Sequence, residues 1–282
     1  MFKDIKQVMK DSVLYGIGNV AVKLVGFILI PLYTDAEYFS TADYGLMGLL
    51  EVTSQILIAV MGLSLYSGLI RWYWDAEYRD KQKTIFFTTL LFTILISLTV
   101  GGLLWLNVDG LSVLLVQQEG YSLGEDLPYV LQLLILTSML GAVVEVPQNL
   151  LRLQSKPIYY STTNIMRLFV TLVLTIYFTI SLHRGIAGVY EAQLVGSVIQ
   201  LLMVLPLIIK NSSFQMDRAC TVQLFLYSYP LVFSAVIGNL LTVFDRYIIN
   251  HFQGLDDVGF YSLGYKVGNT LKVFIVTSVQ LA

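Results

Sequence analysis

Long apolar segments dominate the chain, and they leave it few ways to fold. Of its 282 residues, 56% are hydrophobic and only 13% are charged, a balance far from that of a soluble domain. Because a bilayer offers backbone amides no water, and because barrel strands would be about half as long, these segments must be helices. The sequence predicts an all-α polytopic membrane protein with about eight transmembrane helices: 13–34, 44–70, 84–106, 128–151, 158–182, 185–209, 221–249 and 258–282.

Charges alternate between successive connections. One set carries almost every basic residue outside the apolar segments: Lys3, Lys6, Lys10, Arg71, Arg79, Lys81, Lys83, Arg152, Lys156, Lys210 and Arg218. The opposite set, 35–43, 107–127, 183–184 and 250–257, is acidic and holds a single basic residue, Arg184. We call these the basic end and the acidic end. The positive-inside rule predicts that the basic end and the N-terminus are cytoplasmic, with an uncleaved first helix.

A short stretch of sequence recurs in the chain, which suggests two related halves. Residues 43–48 (DYGLMG) resemble 258–264 (VGFYSLG), and each stretch opens the second helix of a pair after a short acidic connection. This pattern indicates a parallel repeat about an axis along the membrane normal. Six helices separate the two starts, and two follow the second start. We therefore expect a six-helix N-terminal lobe, 1–210, and the first two helices of an incomplete C-terminal lobe, 211–282.

Cations inside apolar segments are the main candidates for function. Lys23, Arg167, Lys266 and Lys272 lie within predicted helices, where each charge near the bilayer centre costs about 2.5–3.5 kcal/mol. Four such residues suggest a shared polar cavity. Asn19 shares the face of Lys23 and supplies another donor. The alternative is a packing seam of small residues from which Lys23 reaches an interface.

The other candidates follow from residue type and spacing. The guanidinium of Arg167 is suited to bind an anionic headgroup through two parallel hydrogen bonds. The alternative is an ion pair of Arg167 with Glu51 or Glu145. Tyr265 and Asn269 accompany Lys266 and Lys272 on a broad polar face, where tyrosines can stack on sugar rings. Glu51 and Glu145 are candidates for binding a coupling ion, H⁺ or Na⁺, or for neutralising a cavity cation.

Signals for catalysis or cofactors are weak. His183 and His251 lie in different connections, and the sequence has no His/Cys/carboxylate cluster with metal-ligand spacing and no glycine-rich phosphate loop. We therefore expect neither an enzyme nor a metal, cofactor or nucleic-acid partner.

The chain resembles the polysaccharide repeat-unit flippases, which export O-antigen and capsule oligosaccharides within the multidrug/oligosaccharidyl-lipid/polysaccharide exporter (MOP) superfamily. The residues that carry the resemblance are 12–19 (SVLYGIGN), 31–34 (PLYT), 43–45 (DYG), 71–73 (RWY), 229–231 (YPL), 245–249 (DRYII) and 259–262 (GFYS).

The resemblance implies two lobes around a central cavity in the bacterial inner membrane. Cations there, at positions matching Lys23, Lys266 and Lys272, with Arg167 as an addition, would hold the pyrophosphate of an undecaprenyl-linked oligosaccharide. The expected partners are that lipid-linked substrate, membrane lipids, a polysaccharide polymerase and a chain-length regulator. The alternatives are a multidrug antiporter of the same superfamily, and a non-transporting scaffold of a polysaccharide assembly complex.

Overall fold

The fold is known from a computed structural model that describes residues 28–116, 126–213 and 215–280, with the backbone alone over 270–280. Within these ranges every regular element is helical. The α-helices are α1 (Ile30–Tyr33), α2 (Thr41–Gly62), α3 (Leu65–Trp72), α4 (Gln82–Leu106), α5 (Val108–Leu115), α6 (Asp126–Leu153), α7 (Pro157–Ile176), α8 (Gly185–Asn211), α9 (Arg218–Phe252) and α10 (Leu255–Gln280). A 3-10 helix (Ala76–Lys81) precedes α4, and a π-helical turn (Tyr177–Ser181) follows α7.

Helices form at seven of the eight predicted segments, and the first segment lies largely outside the described residues. Six of the described helices are long and apolar enough to cross a membrane: Thr41–Gly62, Ala76–Leu106, Asp126–Leu153, Pro157–Ser181, Gly185–Asn211 and Arg218–Leu241. The prediction of an all-α polytopic membrane protein is confirmed.

Two local details differ from the sequence prediction. The second predicted segment is not continuous, because Leu63 and Ser64 interrupt it with left-handed backbone, at φ of 43° and 49°. The connection after α4, predicted as a loop, contains the short helix α5. Both stretches are apolar and free of proline, so hydropathy alone gave no sign of either change.

The connections gather into two groups, as the charge pattern predicts. At the basic end, Trp74 Nε1 donates to the Leu153 carbonyl over 3.2 Å, and Gln154 Nε2 donates to Asn211 Oδ1 over 2.9 Å. At the acidic end, the ring of Tyr38 stacks on that of His183 with 6.3 Å between centroids. Consecutive long helices therefore run in opposite directions between two chemically distinct ends.

The core of the described part contains two large clusters, one toward each end, and a small third cluster of Met61, Ile135 and Ala142. At the acidic end, buried residues of α2 and α6 pack together with residues from the start of α10, among them Leu46, Leu50, Leu131, Leu134, Leu255 and Val258. At the basic end the cluster joins α3, α4, α6, α8 and α9 through residues such as Leu69, Phe86, Leu150, Leu207 and Cys220. α6 packs against α2, α4 and α8, so it is the central helix of the described part.

A capping box fixes the start of α2. Asp43 N donates to Ser40 Oγ over 3.1 Å, and Ser40 N donates to Asp43 Oδ2 over 2.8 Å. The two bonds satisfy backbone groups that the first turn of a helix leaves open. They also set the position of Tyr44 and Gly45, which belong to the site described next.

Candidate functional site at the contact of α2 and α10

α2 and α10 both begin at the acidic end and approach each other backbone to backbone. A Cβ atom at Gly45 would lie 1.9 Å from the Leu255 carbonyl oxygen, and one at Gly259 would lie 2.4 Å from the Thr41 carbonyl oxygen. Neither position has room for any side chain, so only glycine permits this distance.

The contact is reciprocal. The Cβ position of Gly45 is 3.0 Å from Gly259 N, and that of Gly259 is 3.3 Å from Gly45 N. Each glycine lies near the start of one of the two stretches whose sequences resemble each other. The two stretches on which the predicted repeat rests thus lie face to face.

Lys266 projects from α10 onto two tyrosines of the preceding helices. Its Nζ lies 5.7 Å from the ring centroid of Tyr33 and 5.9 Å from that of Tyr44. Both rings are buried, at 9% and 7% exposure. Distances of this size allow a cation–π attraction, which strengthens when water is excluded. The side chain leans toward the start of its own helix, as helical side chains do.

Arg246, near the end of α9, is a second cation at this contact and was not among the predicted site residues. Its guanidinium carbon lies 4.8 Å from the centroid of Tyr265, and the residue is 6% exposed. Within the described part of the chain, its Nε has no hydrogen-bond acceptor. The sequence feature that could have identified Arg246 is its charge inside an apolar helix. The position of Arg246 near the acidic end made it resemble an interfacial residue.

Polar contacts surround Arg246. Asp245 Oδ1 accepts from Arg246 N over 2.8 Å, and Asp245 Oδ2 accepts from the hydroxyl of Tyr261. The Thr53 hydroxyl donates to the Leu49 carbonyl over 2.7 Å. Tyr247 must therefore be the donor in its 2.7 Å hydrogen bond with Thr53. This last bond links α9 directly to α2.

Glu51 follows this contact along α2, where it is exposed. A Cβ atom at Gly48 would lie 2.4 Å from Ser262 Oγ, so the contact advances by three residues along both helices from Gly45 and Gly259. One further step brings Glu51 level with Tyr265 and Lys266. Electrostatic interactions of Glu51 with Tyr33 and Tyr44 agree with that register.

Arg167 lies elsewhere, between α7 and α8. Its Nη1 donates to Gln200 Oε1 over 3.2 Å, and Gln200 Nε2 donates to Asn164 Oδ1 over 2.8 Å. The salt bridges of the described residues, Lys81–Asp217 and Arg184–Glu191, do not include Arg167, Glu51 or Glu145. The guanidinium therefore donates to the Gln200 amide, which is itself bonded to Asn164, and Arg167 lies on a different helix from Lys266 and its tyrosines.

The remaining predicted residues are spread over other places. Glu145 is half-buried on α6, with its carboxylate beside Gly62. Asn269 is exposed on α10. Lys23, Asn19 and the side chain of Lys272 lie outside what the structure describes.

The fold matches those of solved transporters. A MATE structure in complex with MaD3S superimposes with a TM-score of 0.74 at 15% identity, covering 95% of this chain and 62% of that one. An outward-facing multidrug resistance MATE family transporter of the MOP superfamily gives 0.70 at 14% identity, covering 95% and 62%. A MOP superfamily transporter from Pyrococcus furiosus, described as having a binding pocket of reverse polarity, gives 0.67 at 16% identity, covering 95% and 59%.

These matches define a fold of the MOP-superfamily transporter class, and the chain spans about three fifths of the length of those structures. The family model described as "Polysaccharide biosynthesis protein" matches residues 8–282. The chain belongs to that family, which confirms the resemblance drawn from the sequence. A comparison with curated proteins finds no match.

Proposed function

We propose that this protein translocates undecaprenyl-pyrophosphate-linked oligosaccharide repeat units across the cytoplasmic membrane, for the biosynthesis of surface polysaccharide such as O-antigen or capsule. Membership of the polysaccharide biosynthesis family and the MOP-superfamily fold support the proposal. The chain spans 62% of the first matched structure, so the proposal concerns the whole transporter.

The observation that carries the proposal is the pair of cations beside the contact of α2 with α9 and α10. Lys266 lies against the buried rings of Tyr33 and Tyr44, and the buried Arg246 lies against the partly exposed ring of Tyr265. A guanidinium can donate two parallel hydrogen bonds to phosphate oxygens, and an ammonium adds a mobile point charge. The faces of Tyr261 and Tyr265, both partly exposed, can stack on sugar rings.

The proposed mechanism is alternating access. The substrate headgroup enters from the cytoplasmic side while the lipid tail stays in the bilayer, and the cations hold its pyrophosphate. Separation of α2 from α10 at the acidic end then releases the headgroup toward a polymerase and chain-length regulator outside. An ion gradient or the membrane potential gives the cycle its direction.

The test uses Lys266→Ala and Arg246→Ala in the chromosomal gene, with the exposed Lys156→Ala as the matched control. We expect each site variant to reduce surface polysaccharide at least 10-fold at equal membrane abundance, and to accumulate the lipid-linked oligosaccharide in the cytoplasmic leaflet. Arg246→Lys should recover only part of the activity, because lysine keeps the charge and cannot donate the two parallel hydrogen bonds of a guanidinium.

Three results would overturn the proposal. Normal polysaccharide in both alanine variants would remove the role of the cations. Loss of resistance to cationic dyes, with polysaccharide unchanged, would indicate a drug antiporter. Polysaccharide lost on gene deletion and kept in every point variant would indicate a scaffold without transport.

A further inference from the structure

Tyr261 and Tyr265 form a pair of neighbouring rings on α10, which we call the tyrosine pair. The two residues are four apart in the chain, so they lie one above the other on the same face of the helix. Their ring centroids are 6.3 Å apart, with 28° between the ring planes. Both side chains are partly exposed, at 36% and 37%. In the part of the chain that the structure describes, the pair therefore offers an accessible aromatic surface about as long as a sugar ring.

The two members of the tyrosine pair contact groups of opposite charge on α9. Arg246 lies against Tyr265, with its guanidinium carbon 4.8 Å from the centroid of that ring. Asp245 contacts Tyr261 instead, because its Oδ2 accepts a hydrogen bond from the Tyr261 hydroxyl. A ligand that lies along the pair therefore meets a cation at one end and a carboxylate at the other.

The Asp245 carboxylate keeps both its charge and part of its capacity to accept hydrogen bonds. Its Oδ1 accepts from Arg246 N over 2.8 Å, and its Oδ2 accepts from Tyr261. A carboxylate has about four acceptor positions, so these two bonds leave acceptors for a ligand. Neither salt bridge among the described residues includes Asp245. The residue is half-buried, and charges act on each other more strongly there than in bulk water.

We propose that Asp245 makes this site selective for an oligosaccharide whose first sugar, the one attached to the pyrophosphate, carries no carboxylate group. The inference rests on the proposed function, in which Arg246 and Lys266 hold the pyrophosphate. The first sugar ring then lies on the tyrosine pair, with its far edge toward Asp245.

Hydrogen bonding and charge give this selectivity its physical basis. The hydroxyl groups of a neutral sugar, or the N–H of an acylated amino sugar, can donate to the Asp245 carboxylate. The carboxylate of a uronic acid would instead bring two like charges together, with no donor between them. Asp245 is therefore a specificity-determining residue, whereas the cations bind the part that all such substrates share.

The test measures the binding of two lipid-linked probes to the purified full-length protein. Each probe carries one sugar on undecaprenyl pyrophosphate, and the two differ at one carbon: one sugar is a neutral hexose and the other is the corresponding hexuronic acid. We expect the native protein to bind the neutral probe about 10-fold more tightly. Asp245→Asn keeps the size of the side chain and one acceptor oxygen and removes the charge, so the two affinities should converge through tighter binding of the acidic probe.

Two further variants separate selectivity from folding. Asp257→Asn, at an exposed carboxylate in the first turn of α10, is the matched control and should keep the native preference. Tyr265→Leu should weaken the binding of both probes alike, because it removes a stacking surface and leaves the carboxylate in place. A variant that fails to fold loses both probes together, so only the ratio of the two affinities reports on Asp245.

The proposed function and the selectivity can fail separately. If the native protein binds both probes equally, or if Asp245→Asn leaves the preference intact, the role of Asp245 is overturned, while loss of both probes in Arg246→Ala would still support the proposed function. If the native protein binds neither probe, the proposed function is overturned and the selectivity falls with it.

Discussion

The two ends of the molecule hold α9 and α10 in different ways. At the acidic end α10 meets α2 through backbone, with Gly45 against the Leu255 carbonyl and Gly259 against the Thr41 carbonyl. At the basic end α9 meets the other helices through side chains. Lys81 Nζ lies 2.5 Å from Asp217 Oδ2, the Tyr78 hydroxyl donates to Gln223 Oε1, and Leu224 covers Gly68.

This difference has a mechanical consequence. A side-chain contact can adjust by changing rotamers, whereas a backbone contact without side chains has nothing to rearrange. We therefore expect the acidic end to be either closed or open, and the basic end to adapt gradually. Packed interfaces behave in this two-state way because close packing resists small deformations.

The largest expected effect comes from Gly45→Ala. The added methyl group meets a carbonyl oxygen that no rotamer change can move, so we expect a loss of at least 1–3 kcal/mol in the free energy of unfolding, roughly the usual cost of overpacking. Thermal unfolding in detergent measures it. The control is Gly102→Ala on the exposed face of α4, where a Cβ atom meets nothing within 4 Å. Equal unfolding midpoints for the two variants would contradict the tight contact.

Gly68→Ala should have a smaller effect. The nearest obstacle is Leu224 Cδ1, 2.6 Å from the added Cβ position, at the flexible end of a side chain. We expect a loss under about 1 kcal/mol. A Leu224→Ala background should suppress the effect of Gly68→Ala, as a double-mutant cycle would show. If Gly68→Ala is as harmful as Gly45→Ala, the two ends do not differ as described.

Tyr247→Phe removes one hydrogen bond between α9 and α2. The bond to Thr53 is 2.7 Å long, and interhelical bonds of this kind contribute about 0.6–1 kcal/mol. Thermal unfolding should show that loss, while Tyr229→Phe, at a side chain that is 66% exposed, should show none. A neutral Tyr247→Phe would mean that the contact depends on the glycines alone.

The smallest effect is expected at the Lys81–Asp217 bridge. The hydrogen bond from Lys81 holds the pKa of Asp217 below its ordinary value of 3.8. A carboxyl group whose pKa is depressed on folding stabilises the fold above that ordinary pKa, and its contribution is lost as pH falls through the lower folded value. Both groups are partly exposed, so little global stability depends on them.

Spin labels at positions 79 and 215, in a Cys220→Ala background, can follow this bridge. The distance between the labels should lengthen in the native sequence as pH falls from 7 through the lowered pKa of Asp217. In Asp217→Asn it should already be long at pH 7 and stay there. A native distance that does not depend on pH would show that the bridge does not hold this connection.

The sequence predicted much of the fold and part of the site. The helices at seven of the predicted segments were predictable because each apolar run is selected by the bilayer independently of its neighbours. Lys266 was predictable as a site residue because a charge inside an apolar helix is costly. The contact of Lys266 with Tyr33 and Tyr44 was not predictable, because these tyrosines are remote from it in sequence and aromatic residues are common in membrane proteins.

Two features could not be predicted from the sequence, and the reason for each is identifiable. The break at Leu63 and Ser64 lies in the run Met61-Gly62-Leu63-Ser64-Leu65, where hydropathy stays high and no proline marks an end. Arg246 lies near a predicted helix end, where a long side chain ordinarily reaches water. Only its burial and its stacking on Tyr265 distinguish it from an interfacial arginine.

The sequence alone therefore determined the helices, their alternation between a basic and an acidic end, and the likeness of residues 43–48 to 258–264. These properties depend on hydropathy and charge along one segment at a time. The tertiary structure decided which side chains meet: Lys266 with Tyr33 and Tyr44, Arg246 with Tyr265, and Glu145 with the end of α2. Such meetings depend on how each helix is rotated about its axis and how closely its neighbours approach, which packing among all the helices determines together.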